Sequence, residues 1–153
     1  MKAMAITRIR SLAGDEPPLA AVELPAPQAG PAEIRIKIAA CGVCHTELDE
    51  IEGRTPPPRL PVIPGHEVVG RVDQLGPGAT RFGVGDRVGV GWIHSSTGDS
   101  DENLSPRFQG TGRDVNGGYA EWMTVPERYA YPIPAVFSDA QAAPLLCAGG
   151  VGF

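Results

Sequence analysis

The chain reads as a mainly β fold with a few short helices, closing into a partly open β-barrel. Three observations carry that reading. The 153 residues include 20 glycines and 16 prolines, turn chemistry spread along the chain without the period of a collagen or a linker. The segment Glu33-Ile34-Arg35-Ile36-Lys37-Ile38-Ala39-Ala40 alternates charge with Ile34, Ile36 and Ile38, the period of a half-buried strand. Other strand-like stretches recur between glycine turns, as they do in small barrels. That much turn chemistry excludes an all-helical bundle. The length suits one domain, and 42% hydrophobic against 20% charged residues suits a packed core rather than a disordered chain.

Taken in order, Lys2 to Ile9 is expected as a first strand, followed by the proline-rich lead-in Pro17 to Pro27 and the alternating strand Glu33 to Ala40. A short helix is expected over Thr46 to Ile51, stopped by Gly53. Glu67 to Leu75 and Arg87 to Trp92 follow as strands, with a proline-rich loop ahead of the first of them. Gly118 to Val125 and Tyr129 to Tyr131 are the next strands. Ser138 and Gln141 have the spacing of a capping box and mark a second helix start. The end, Ala142 to Phe153, is apolar and uncharged. It is expected either to be cut just ahead of a partner domain or to form a buried terminal helix.

Net charge is −5, which argues against nucleic acid as a partner, since phosphate binding requires a basic face. Met1 to Arg10 lacks the apolar stretch of a secretion signal, and Ala140 to Phe153 is too short to span a bilayer. Three cysteines, an odd count, argue for a reducing interior, with the cytoplasm as the expected compartment and no membrane partner.

Chemistry concentrates in three places. Cys41-Gly42-Val43-Cys44 follows the alternating strand, and such a pair can be redox-active, a metal clip or simply buried thiols. The redox reading calls for a βαβ context that is not evident here. Pro64-Gly65-His66-Glu67 places an imidazole and a carboxylate at the mouth of a strand, where ligands gather but where a lone histidine can equally be a core residue. Cys147 lies far away in an apolar stretch, the usual setting of a small core residue.

Together these segments resemble the zinc-containing alcohol dehydrogenases of the medium-chain dehydrogenase/reductase family. The resemblance is carried by Cys44-His45-Thr46, Gly65-His66-Glu67-Val68-Val69-Gly70 with Gly76, Phe82-Gly83-Val84-Gly85-Asp86-Arg87-Val88, Gly117-Gly118-Tyr119-Ala120-Glu121 and Ala143-Pro144-Leu145-Leu146-Cys147-Ala148-Gly149. They run in family order across essentially the whole chain. The resemblance implies a GroES-like barrel with one catalytic zinc held by Cys44, His66 and Cys147, with Glu67 beside the metal and Cys41 outside the set. Two thiolates and a neutral imidazole cancel the charge of the ion and leave one position open. Thr46 matches the proton-relay hydroxyl, and His45 the position that approaches the pyrophosphate of the cofactor. Asp49 stands where many relatives keep a relay histidine.

The resemblance also marks two departures. The lobe that carries four cysteines and a second, structural zinc in many relatives corresponds to the shortened, cysteine-free stretch Ile93 to Ser105. Ser105 stands where the last lobe cysteine would be, so this stretch is expected to be a polar loop without structural zinc, shortened by design or by natural loss. Relatives continue beyond Cys147 into a Rossmann domain that binds NAD(H) or NADP(H), whereas no G-x-G-x-x-G fingerprint occurs here. Gly117-Gly118 and Gly149-Gly150 are expected as turn or packing glycines. The expected function is therefore the zinc-binding catalytic domain of an NAD(P)-dependent alcohol dehydrogenase acting on a small alcohol or aldehyde, a truncated form that binds the dinucleotide poorly and turns over weakly by itself. The alternatives are a zinc hydrolase and a non-enzymatic scaffold that dimerises through Ala143 to Phe153.

Overall fold

A computed structural model describes residues 1–151. The described residues form strands β1 (Lys2–Ala5), β2 (Ala20–Glu23), β3 (Glu33–Cys41), β4 (Val68–Leu75), β5 (Arg87–Val90), β6 (Ile93–Ser95), β7 (Gln109–Gly110), β8 (Trp122–Pro126) and β9 (Ala130–Pro132). Helices α1 (His45–Glu52), α2 (Asp139–Ala142) and α3 (Ala148–Val151) complete the regular structure, with short 3₁₀ turns between them. The central sheet is antiparallel throughout, in the order β8-β3-β4-β5-β9. The hairpin β1-β2 extends it sideways, because Met4 N–H donates to Tyr119 O at 2.8 Å and Ile38 N–H donates to Glu121 O at 3.0 Å. The segment before β8 is thus hydrogen-bonded on both sides, and the sheet curls into the partly open barrel that the turn chemistry predicts.

The alternating pattern of β3 works as expected. Ile34 and Ile36 are buried, with the side chains of Arg35 and Lys37 on the other face, and they pack with Val68, Val72, Val88, Val90, Met123 and Val125. β4 differs, since Val68, Val69 and Gly70 are all buried. Its second face is covered by Ala142, Ala143 and Leu146 beyond the central sheet. A strand covered on both faces reads as an unbroken apolar run, and this second cover anchors the segment that carries Cys147. The terminal segment is therefore partly buried against β4; Gly152 and Phe153 lie outside the described residues.

Several boundaries shift. β1 ends at Ala5, and Ile6 makes only an isolated bridge to Val62. The lead-in read as proline-rich contains β2, which pairs with β1; its four residues lie between prolines and carry no clear alternation. α1 gains one residue at each end and stops at Gly53 in the left-handed conformation, φ 79°, as a helix-terminating glycine does. β4 begins at Val68 and β5 ends at Val90. Gly118 to Glu121 lie outside the strand, which runs over Trp122–Pro126, and residues Glu127–Tyr129 form a 3₁₀ turn ahead of β9. Ser138 caps α2 as its spacing predicts, its hydroxyl accepting from Gln141 N–H at 3.3 Å. The stretch read as a polar loop holds β6 and a 3₁₀ turn at Glu102–Leu104. No helix among the described residues is long and apolar enough to cross a membrane.

Candidate metal centre

Three separate segments deliver the candidate ligands. Cys44 is the N-cap of α1, placed there by the short step from the end of β3 through Gly42 and Val43. His66 and Glu67 precede β4, and Cys147 lies between a 3₁₀ turn and α3. One donor atom from each of Cys44, His66, Glu67 and Cys147 lies within 4.8 Å of all the others. Cys41 stands outside this group. Its thiol is pushed up to about 12, first by burial and then by the neighbouring carboxylates Glu47 and Glu67 against a backbone hydrogen bond from Glu67.

Local packing explains the convergence. Gly65 has φ 98°, and a Cβ there would stand 2.6 Å from the Tyr119 ring, so a glycine is needed to turn the chain into His66. At Gly42 a Cβ would fall 2.0 Å from Glu67 Oε2. The missing side chain is the space that the carboxylate occupies. Gly42 N–H donates to Glu67 O at 2.9 Å, and Ala148 N–H donates to Glu67 Oε1 at 3.0 Å. Glu67 therefore joins the end of β3, the start of β4 and the start of α3, and so sets where Cys147 stands.

Glu47 is a site residue that the sequence reading missed. It is almost fully buried, its Oε2 accepts from Cys44 N–H at 2.7 Å, and its Oε1 makes an ion-pair contact of 2.6 Å with His66 Nδ1. Its signal was available in the spacing: the third residue of a helix reaches back to the N-cap. Engaging Nδ1 leaves Nε2 as the ring nitrogen able to act as a ligand. Burial pushes His66 down, but Glu47 and then Cys44 outweigh it and raise the imidazole to about 9. For Cys44 burial acts upward, and hydrogen bonds from Thr46 together with His66 bring the net shift below the ordinary thiol value. Cys147 is pushed up to about 11 by burial and then by the neighbouring Cys44. Deprotonating both sulfurs together is thus opposed by each other's charge, which a cation between them would relieve.

The donor set fits zinc. Two sulfurs, one imidazole nitrogen and a carboxylate oxygen are zinc's preferred ligands, and tetrahedral bonds of 2.0–2.3 Å would set them about 3.3–3.8 Å apart, a modest contraction of the group seen here. Glu67 Oε2 is buried and makes no hydrogen bond, an unpaired acceptor that a metal would satisfy.

The other expected residues divide. Thr46 joins the site: its hydroxyl lies 3.6 Å from Cys44 Sγ, and it lines a cleft of about 390 Å³ together with Glu50, His66, Trp92, Arg113 and Cys147. His45 does not join the cluster; its side chain is 76% exposed and lies 3.6 Å from Asp49. Asp49 in turn pairs with Arg54. Trp92, Phe108, Glu50 and Arg113 carried no sequence signal, because they reach the cleft from separate segments that only the fold brings together.

A curled antiparallel sheet with a Cys/His/Cys corner beside a cleft is the arrangement that the resemblance to a GroES-like domain implies. The chain belongs to the alcohol dehydrogenase GroES-like domain family, whose sequence profile matches residues 30–135. It is 44% identical over 150 residues to "Probable alcohol dehydrogenase AdhA" of Mycobacterium tuberculosis (strain CDC 1551 / Oshkosh), covering 91% of this chain and 43% of that protein. It is also 44% identical over 139 residues to an alcohol dehydrogenase of Geobacillus stearothermophilus, covering 86% and 41%. Among solved structures, an NAD-dependent alcohol dehydrogenase superposes with a TM-score of 0.85 at 30% identity, covering 95% of this chain and 43% of that one. The chain thus spans less than half the length of these relatives.

Proposed function

We propose that this chain is the zinc-binding, substrate-holding part of an NAD(P)-dependent alcohol dehydrogenase, with Cys44, His66 and Cys147 as the ligands of one catalytic zinc and Glu67 beside it. The observation that carries this reading is the convergence of the four donor atoms within 4.8 Å from three separate segments. Relatives named as alcohol dehydrogenases support it.

Bound zinc supplies Lewis-acid polarisation of an alcohol or carbonyl oxygen. The chain's own residues do the rest. Glu47 fixes the tautomer and orientation of His66 through its Nδ1 contact. Thr46 presents a hydroxyl between Cys44 and the cleft, placed to accept the proton of an alcohol and pass it outward. Asp49, one turn further along α1 and facing Arg54, takes the outer position of that path. Trp92 and Phe108, with ring centroids 5.7 Å apart, hold the carbon chain and exclude water. His45, exposed at the start of α1, is where a cofactor pyrophosphate would approach, since the free N–H groups of a helix N-terminus favour an anion and an imidazole N–H can donate to it. The hydride acceptor is a nicotinamide dinucleotide, bound weakly by this chain alone.

Zinc content after exhaustive dialysis, measured with free-thiol counting, tests the reading. One zinc per chain is expected, and none in Cys44→Ser or His66→Ala. A zinc-free chain in which Cys44 and Cys147 are freely alkylated would overturn the assignment and move a scaffold role to first place.

A further inference from the structure

We propose that Glu50 is a specificity-determining residue that selects alcohols carrying a second hydroxyl group, which its carboxylate and the guanidinium of Arg113 bind inside the cleft. The inference rests on the reading of the cleft as an alcohol site and adds the class of substrate. Glu50 follows Glu47 by three residues on α1, so the two share a helix face. It is 1% exposed and lines the cleft. Its Oε2 is buried and unpartnered, and no described residue donates a hydrogen bond to either oxygen. The other two buried carboxylates are tied into the protein, Glu47 by Cys44 N–H and His66 and Glu67 by Ala148 N–H. A buried carboxylate with no protein partner costs stability, so a role outside the fold accounts for it better than a role within it.

Arg113 lines the same cleft. Its Nη1 contacts Asp114 at 3.2 Å, which leaves further N–H groups of the guanidinium free to donate among the described residues. The cleft therefore offers one strong acceptor and one strong donor. An ammonium group would meet Arg113 and the metal ligands' cation, and an anion would meet Glu50, with Glu47 and Glu67 behind it. A hydroxyl is neutral and both donates and accepts, so it satisfies both. Trp92 and Phe108 form the wall along which the connecting carbons lie. A site built to bind a hydroxyl rejects an analogue lacking it far more strongly than an apolar pocket rejects one extra methylene.

The test compares 1,2-propanediol with 1-propanol as ligands of the zinc-loaded chain, by ligand-observed magnetic resonance in competition. At pH 9, above the value of about 8 to which burial pushes the Glu50 carboxyl, the chain should favour the diol by about tenfold or more, the worth of one hydrogen bond to a charged group. Glu50→Val should bind both equally, and Glu50→Gln, which still accepts a hydrogen bond, should keep part of the preference. A second readout separates this role from a structural one: metal-free Glu50→Val should need more urea to unfold than the unaltered chain. Equal binding of the two alcohols by the unaltered zinc-loaded chain, or a Glu50→Val chain that unfolds at lower urea, overturns the inference alone. A chain that holds zinc but binds neither alcohol overturns the alcohol-site reading itself, and this inference with it.

Discussion

The metal corner and the lobe from β6 to β7 differ in what they do with their polar atoms. At the corner, Glu50 and Glu67 each keep a buried oxygen without a hydrogen bond, and two thiols that oppose each other's ionisation stand in contact range. In the lobe, the Tyr129 hydroxyl accepts from Ser96 N–H at 2.9 Å and from Arg128 Nη2 at 2.8 Å, and donates to Glu102 Oε2 at 2.7 Å. Glu102 Oε2 also accepts from Gly98 N–H, and Ser96 Oγ donates to Glu102 O. A phenol can donate once and accept twice, and here all of that capacity is used within the chain. Satisfied polar groups build structure; leftover ones in a dry corner mark where a ligand acts. In a stretch without cysteine, the Tyr129–Glu102 network organises the loop.

The largest expected effect breaks the comparison if it fails. Zinc at about 100 times its dissociation constant should stabilise the folded chain by about 2.7 kcal/mol. The gain should vanish with a chelator and in Cys147→Ser. Thermal unfolding with and without zinc measures it. If Tyr129→Phe also abolished the response, the two regions would not be independent.

Much of this contrast was legible beforehand, though unevenly. The isoleucine alternation of β3 and the cap at Ser138 are local signals, and both hold because burial and capping act over a few residues. Cys44, His66 and Cys147 were assignable only through the resemblance, because their meeting depends on how β3, β4 and the terminal segment pack. β2 was invisible because a four-residue strand with half-buried and exposed positions owes its existence to pairing with β1. β6 and the Glu102 turn were read as loop for the same reason: Tyr129, 27 residues beyond Glu102, supplies the contact that orders them.

Glu47 sharpens the corner half of the comparison. Glu47→Gln should keep the fold but weaken zinc binding by about 10- to 100-fold, the usual cost of losing the partner that orients a ligand histidine. Competition with a chromophoric chelator reads this directly, and unchanged affinity would show that His66 is positioned by packing alone. Tyr129→Phe sharpens the lobe half. Removing the hydroxyl strands the Ser96 N–H and takes from Glu102 Oε2 one of its two donors, at a cost of about 1–2 kcal/mol, seen as a lower urea midpoint. Zinc affinity should stay unchanged.

The smallest expected signal is a slope with pH in the metal-free chain. Burial, followed by repulsion from Glu47, pushes the Glu50 carboxyl up to about 8, whereas in the unfolded chain it titrates at its ordinary value. Between those values the folded state binds the extra proton, so stability falls as pH rises from about 4.5 to 8 and levels above it. His66, held near 9, acts in the same direction over its own window, because the stability from its charged form is lost as pH rises through 9. The difference between the chain and Glu50→Gln therefore isolates Glu50. Urea midpoints at pH 5 and pH 8 should differ less in the variant than in the unaltered chain. Identical pH slopes would mean that α1 opens enough to hydrate the carboxylate, and that the corner's leftover polar atoms cost the fold less than their burial implies.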